Sequence, residues 1–206
     1  MPTTRLLFAS HNAHKAAEVA QILDGTDVEV LPLSAVGALP EAPEDHDNFA
    51  DNALQKARFI FERTGMPCVA DDSGLEVRAL GGAPGVHSKR FSPEGTAEAN
   101  NALLLARLEG IADRRAWFRC ALAVVGPLRP GGPVVEGVVE GLCEGEIAQS
   151  PSGSGGFGYD PLFLPDETPG RSMAELRPEE KNGISHRGRA FAALPELLAQ
   201  LRSVGL

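Results

Sequence analysis

The sequence predicts an α/β fold built on a mixed β-sheet with helices on both sides. Three observations carry that expectation. Strand-like and helix-like segments alternate through the first half, a run of strand-like segments follows, and an amphipathic helical segment closes the chain. With 206 residues, the chain is long enough for one large α/β domain or two small lobes.

Arg5 to Ala9 reads as a buried strand that ends in the polar turn Ser10-His11-Asn12. A helix follows, with Ala16, Val19, Ala20 and Leu23 at helical spacing. Val28 to Leu33 is a second strand, and Pro40 to Asp47 an acidic loop. A helix over about Asn48 to Arg63 places Phe49, Ala53, Ala57 and Ile60 on one stripe. Cys68-Val69-Ala70 is a short strand that ends at Asp71-Asp72-Ser73-Gly74, and Thr96 to Leu108 reads as a helix.

Strands are expected at Trp117 to Val125, at Val134 to Val139 and at Glu144 to Ala148. Pro127 to Pro133 forms the turn between the first two. Pro161 to Leu164 is a short buried strand. The last helix carries Phe191, Leu194, Leu198 and Leu201 on one face. Pro195 lacks the donor that a helix interior needs, so a break or a fresh first turn belongs there.

Composition narrows the function. The net charge of −9 argues against general DNA or RNA binding, which needs a basic face. An anionic small molecule remains open, because a metal and a few placed cations reverse the sign locally. No apolar run approaches the ~20 residues that span a bilayer. Met1 to Arg5 leads into the first strand with no small-residue cleavage site, so no signal peptide and a cytoplasmic location are expected. Cys68, Cys120 and Cys143 are scattered among apolar neighbours and read as reduced core residues.

Five segments could carry chemistry. Ser10-His11-Asn12-Ala13-His14-Lys15 joins a strand to a helix. It could cradle phosphate through backbone donors, a hydroxyl, an amide and a lysine, or simply cap the helix. Asp71-Asp72 places two acids side by side, which repel unless a cation satisfies them. Magnesium takes one or two carboxylates plus substrate phosphates, and Glu41, Glu44, Asp45 and Asp47 offer further acids. Lys56 sits at the edge of the buried helical stripe, able to reach solvent or an anion. Gly153 to Asp160 combines a glycine loop with Phe157 and Tyr159, flat faces suited to a base, or is a turn with apolar anchors. Lys181 to Arg187 clusters cations at a helix start, where they oppose the macrodipole unless an anion is near. His11, His14, His46 and His87 have no metal-ligand spacing.

The order of these segments resembles the inosine triphosphate pyrophosphatase family. The likeness runs through Ser10-x-Asn12-x-x-Lys15, Asp71-Asp72-Ser73-Gly74-Leu75 and Leu80-Gly81-Gly82-Ala83-Pro84-Gly85 with Ser88 and Arg90. It continues through Gly155-Gly156-Phe157-Gly158-Tyr159-Asp160 and Glu180-Lys181 with Ser185-His186-Arg187. The resemblance implies an elongated mixed sheet with flanking helices, one domain over residues 1–206 with two lobes around a central active-site cleft, and a homodimer. It implies hydrolysis of ITP, dITP and XTP to the monophosphate and pyrophosphate.

By the same resemblance, Glu41 and Asp72 hold magnesium, and Asp72 takes the proton from water, with Asp71 as the alternative. Ser10, His11, Asn12, Ala13, His14, Lys15, Lys56 and Ser73 contact the triphosphate. Phe157, Gly158, Tyr159, Asp160, Lys181, His186 and Arg187 enclose and read the base. Asp51-Asn52-Ala53 looks like a shortened form of the family's Glu-Asn-Ala. A pyrophosphatase for modified pyrimidine nucleotides and a nucleotide-sensing regulator without turnover are the rival expectations.

Overall fold

A computed structural model describes residues 3–204, so Met1 and Pro2 of the N-terminal reading lie outside the described residues. The backbone is a mixed six-stranded sheet. Its strands are β1 (Thr4–Phe8), β2 (Val28–Pro32), β3 (Cys68–Val77), β4 (Arg115–Pro127), β5 (Val134–Ile147) and β6 (Phe163–Pro165), in the order β2-β1-β3-β4-β5-β6. β1 pairs parallel with both β2 and β3, whereas β5 and β6 are antiparallel. The helices are α1 (Ala13–Ile22), α2 (Phe49–Thr64), α3 (Ala97–Arg107), α4 (Pro178–Ile184), α5 (His186–Ala192) and α6 (Leu194–Val204).

Two strands differ from expectation, and the last helical segment follows it. β3 does not stop at the acid pair but continues to Val77, so Asp71 and Asp72 lie within a strand. β5 is one strand from Val134 to Ile147, where two shorter ones were expected. The last helical segment breaks as Pro195 requires, α5 ending at Ala192 and α6 starting at Leu194, with Pro195 in a first turn that needs no donor.

The chain divides into two compact units, with changeovers inside β3, β4, β5 and α5. The first comprises the residues up to Asp72, Cys120–Gly141 and those from Arg187 onward. In its core, Leu6, Phe8, Val69, Leu122 and Val124 of the sheet pack with Val19 and Leu23 and with Phe191, Leu194 and Leu198. Each large apolar side chain so buried contributes roughly 1.5–3 kcal/mol. Ala20, expected on the buried stripe of α1, is exposed, whereas Phe49, Ala53, Ala57 and Ile60 of α2 are all buried.

α2 begins and ends as its sequence requires. Asn48 Oδ1 accepts from the Asp51 N–H at 2.8 Å, and Asn48 Nδ2 donates to Asp51 Oδ2 at 2.7 Å. Gly65, with φ of +66°, closes the helix in the left-handed conformation. Asp51, the shortened member of the Asp-Asn-Ala triplet, thus spends its carboxylate on the cap.

The second unit comprises Ser73–Arg119 and Leu142–His186. Leu75, Val77, Leu104, Leu108, Phe118, Ile147, Leu162, Phe163 and Met173 form its core. All three cysteines are buried thiols, Cys68 and Cys120 in the first unit and Cys143 in the second.

Candidate active site

Neighbouring residues on a strand point to opposite faces of the sheet. Asp71 and Asp72 therefore part company, and each finds its own cations. Among the described contacts, Asp71 meets Lys15 of α1 and Arg187 of α5, while Asp72 meets Lys56 and Asn52 of α2. The repulsion expected of adjacent acids is relieved from two sides.

On the α2 side, Lys56 Nζ donates to Asp72 Oδ1 at 2.8 Å and to Glu44 Oε1 at 3.0 Å. Asn52 Nδ2 donates to Asp72 Oδ2 at 3.2 Å, so each oxygen of Asp72 has a donor. Burial lifts the Asp72 carboxyl above the ordinary aspartate range; Glu44 adds to the rise and Lys56 opposes it. Burial also works against the Lys56 ammonium, but Asp72, Asp71 and Glu44 outweigh it and hold its pKa above the usual value. Lys56 therefore does not snorkel to solvent.

The acidic loop is tied to the same helix. Asn52 Oδ1 accepts from the His46 N–H at 2.9 Å, and Asn52 Nδ2 donates to the His46 carbonyl at 3.0 Å. Gln55 Oε1 accepts from the Asp45 N–H at 3.1 Å, and Gln55 Nε2 donates to Asp45 Oδ2 at 2.9 Å. Positions 52, 55 and 56 share one side of a helix, and together they grip three consecutive loop residues, Glu44, Asp45 and His46. Glu41 is exposed. The loop acid that reaches Lys56 is Glu44, one residue past the Ala42-Pro43 segment.

On the opposite face, Asp71 Oδ2 accepts from Lys15 Nζ at 2.9 Å and from Arg187 Nη2 and Nε at 3.2 and 3.3 Å. Burial alone would raise the Asp71 pKa, yet Lys15, Arg187 and Lys56 hold it far below the usual carboxylate range. Arg187 is 1% exposed and also donates Nη1 to Glu18 Oε2 at 2.5 Å. These contacts lie within the first unit and engage the Arg187 guanidinium with Asp71 and Glu18. Burial pushes the Cys120 thiol, 4.0 Å from Asp71 Oδ2, up to about 12.

The turn Ser10 to Lys15 caps the helix that follows it. Asn12 caps α1, its Oδ1 accepting from the His14 and Lys15 N–H groups at 2.9 and 3.3 Å. Ser10 Oγ accepts from the Asn12 N–H at 3.2 Å, and the exposed His11 ring lies 3.2 Å from the Leu39 carbonyl. Ala13 and His14 are exposed in the first turn of α1. Lys15 leaves solvent for Asp71.

The second unit assembles the other predicted residues. Lys181 Nζ donates to Asp160 Oδ2 at 2.8 Å, and the same oxygen accepts from the Phe157 N–H at 2.8 Å. The Lys181 ammonium stands 5.0 Å from the Phe157 ring centroid. Gly156 has φ of +69°, and a Cβ there would fall on the Asp160 carboxylate. Asn101 donates to the Gly158 carbonyl at 3.0 Å, and the Tyr159 hydroxyl to the Ser88 carbonyl at 2.9 Å. His186 is buried, its ring stacked on Phe118 with centroids 4.7 Å apart. Ser73, half-buried on β3, belongs to this unit.

The structure thus brings together Lys15, Asp71 and Arg187 on one face of β3, and Lys56 and Asp72 on the other. Phe157, Asp160 and Lys181 meet in the second unit. Sequence reasoning passed over Glu18, Gln55, Asn101 and Phe118, named Asn52 only as part of the Asp51-Asn52-Ala53 triplet, and did not single out Glu44. A polar run at 52, 55 and 56 flanking an apolar stripe is the one signal that could have flagged the α2 set.

Among the described residues, no group of three or more His, Cys, Asp or Glu side chains is placed to hold a metal by itself. Two hard oxygen donors, Glu44 Oε1 and Asp72 Oδ1, nevertheless already share one cation, the Lys56 ammonium. That donor set fits magnesium, which binds through one or two carboxylates and keeps its other positions for water and phosphate oxygens. No helix among the described residues is long and apolar enough to cross a membrane.

Comparison with known proteins places the chain. The model of the Ham1 family matches residues 6–197. A curated relative from Aromatoleum aromaticum, named dITP/XTP pyrophosphatase, is 49% identical over 99% of this chain and 100% of its own length. The solved structure of a HAM1 protein from Coxiella burnetii superimposes with a TM-score of 0.82 at 37% identity, covering 96% of this chain and 100% of that one. The crystal structure of a nucleoside-triphosphatase / dITP/XTP pyrophosphatase from Mycobacterium abscessus gives 0.73 at 49% identity, over 92% of this chain and 98% of that one. With a family match across nearly its whole length, and relatives well above 30% identity, this chain belongs to the Ham1 family.

Proposed function

We propose that this protein is a nucleoside-triphosphate pyrophosphatase. It hydrolyses ITP, dITP and XTP to the monophosphate and pyrophosphate, clearing deaminated purine nucleotides from the pool. The observation that carries the chemistry is the Glu44–Lys56–Asp72 cluster, where a buried carboxylate of raised pKa faces a cation shared with a second acid. The substrate class rests on the relatives, which are named dITP/XTP pyrophosphatases.

Asp72 is the general base. Its raised pKa brings it nearer to the range where a carboxylate accepts a proton usefully, whereas Asp71 is held ionised by Lys15 and Arg187 and is a weak base. A water oxygen bonds to the α-phosphorus as its proton passes to Asp72, and the bond from that phosphorus to the bridging oxygen of pyrophosphate breaks. Lys56 and Lys15 offer positive charge to the triphosphate. Asp72, with Glu41 or with Glu44, whose carboxylate already shares a cation with it, would hold magnesium, which when bound neutralises phosphate charge and polarises the scissile bond. The Ser10 to Lys15 turn, with Ser73, serves the phosphates. Phe157, Gly158, Tyr159, Asp160, Lys181 and His186 serve the base, with Lys181 and His186 as candidate donors to a 6-oxo group. A homodimer in the cytoplasm completes the proposal, and light scattering on the purified protein tests the dimer.

Initial rates of pyrophosphate release from ITP, XTP, GTP and ATP, with and without magnesium, test the function. Fast, magnesium-dependent release from ITP and XTP is expected. Equal rates on all four overturn the purine selectivity, and no release from any of them overturns the enzyme.

A further inference from the structure

Asn52 is 1% exposed, and its side-chain amide makes three hydrogen bonds to two separate segments. Two go to the backbone of His46, one accepted at 2.9 Å and one donated at 3.0 Å. The third is donated to Asp72 Oδ2 at 3.2 Å. His46 is two residues beyond Glu44, whose carboxylate meets Lys56 one helical turn along α2 from Asn52. One buried amide therefore links the loop that carries Glu44 to the strand that carries Asp72.

We infer that Asn52 is a positioning residue that sets the spacing of Glu44 and Asp72 about their shared cation. The inference rests on the proposed pyrophosphatase function for the identity of that cation in turnover. An amide is suited to the task. It donates and accepts at once, so it can hold a backbone N–H and C=O pair while orienting a carboxylate. It adds no charge to a cluster that already balances two acids against Lys56. Glu44 sits on a loop and is half-buried, so without such a tie its carboxylate would sample many positions. Gln55 grips the neighbouring Asp45 but makes no described bond to Asp72. The bond that joins the two acids runs through Asn52.

Outer partners of metal ligands typically contribute 10–100-fold to affinity. The test measures ion binding and loop motion directly. Mn2+ binding to wild type and to Asn52→Ala is followed by electron paramagnetic resonance, and amide hydrogen exchange is followed over residues 44–47. The variant should bind Mn2+ about 10–100-fold more weakly and exchange faster at His46, while Arg58→Ala, which lies on the same helix as Asn52 and breaks an exposed pair with Glu136 of β5, should match wild type in both. A folded Asn52→Ala that binds Mn2+ within about twofold of wild type overturns the inference, as does a wild type that binds no Mn2+.

Should Asn52→Ala not fold, the side-chain amide resonance of Asn52 in the wild-type protein, followed during Mg2+ titration, decides. A shift that saturates supports the role, and an unmoved resonance overturns it. None of these readouts requires turnover. A wild type that shows them without releasing pyrophosphate from ITP supports the positioning role while overturning the proposed function.

Discussion

The Lys56 ammonium lies 2.8 Å from Asp72 Oδ1, with both groups buried. A lysine so placed gives Asp72 a fixed orientation and a counter-charge without fully neutralising it, because Lys56 is shared with Glu44. The result is a carboxylate that is oriented and still able to take a proton.

Asp72→Asn keeps the shape of this residue but removes its basicity. Pyrophosphate release from ITP should fall about 10²–10⁴-fold, with the thermal unfolding midpoint close to that of wild type. Hydrolysis at the wild-type rate in a folded variant sinks the assignment of Asp72 as the base.

The pH dependence should carry the same signature. Asp72 must be ionised to accept a proton, and its pKa lies above the ordinary aspartate value of about 3.9. In the metal-free protein the Asp72 carboxyl carbon resonance should therefore titrate above that value, and a midpoint at or below it contradicts the raised pKa, whereas bound magnesium should bring the midpoint down.

Asp71 predicts the opposite for stability. Its carboxyl is more acidic in the folded state than in the unfolded chain. Its contribution is therefore fully present above about pH 4 and is lost progressively as pH falls from there toward the lower folded-state pKa. Urea unfolding of wild type and Asp71→Asn should show a gap at pH 7 that narrows at pH 3. A gap independent of pH refutes the linkage.

Removing Asp71 altogether takes from the buried guanidinium of Arg187 one of its two described acid partners and strips Lys15 of its described partner. Breaking a buried pair in this way costs about 3–5 kcal/mol. Denaturant titration of Asp71→Ala should show a loss of that order, and a loss under about 1 kcal/mol is the contrary outcome.

Gly156→Ala probes the second unit. A side chain there meets the Asp160 carboxylate and must adopt a left-handed conformation, which costs about 1–2 kcal/mol before any clash. Displacing Asp160 breaks its bonds to Lys181 and to the Phe157 N–H. KM for ITP should rise and the preference over ATP should weaken, both readable from initial rates. An unchanged KM and preference separate this loop from base recognition.

Much of the framework is legible in the chain itself. The apolar stripe of α2, the alternation of strand and helix, the cap at Asn12 and the restart at Pro195 are local matters, set by periodicity and by backbone chemistry within a few residues. The acid pair, the Ser10 to Lys15 turn and the Phe157 to Asp160 loop are equally visible as residue types in order. The extension of β3 through two aspartates was not. A strand so charged is stable only where distant cations meet it, and Lys15, Lys56 and Arg187 come from three different helices.

The same limit governs the acids of the loop. Glu41, Glu44, Asp45 and Asp47 are interchangeable as letters. What separates Glu44 from Glu41 is the grip of Asn52 and Gln55 on the next two residues, which turns one carboxylate toward Lys56 and leaves the other in solvent. The sequence by itself determined the α/β class, the inventory of acids and cations, and their order along the chain. Only the tertiary structure decided which acid is paired with which cation, and which of the two aspartates is raised in pKa and which lowered. Those pairings depend on which face of a strand a side chain leaves from and which helix covers it, and contacts between residues as far apart as Asp71 and Arg187 have no local trace.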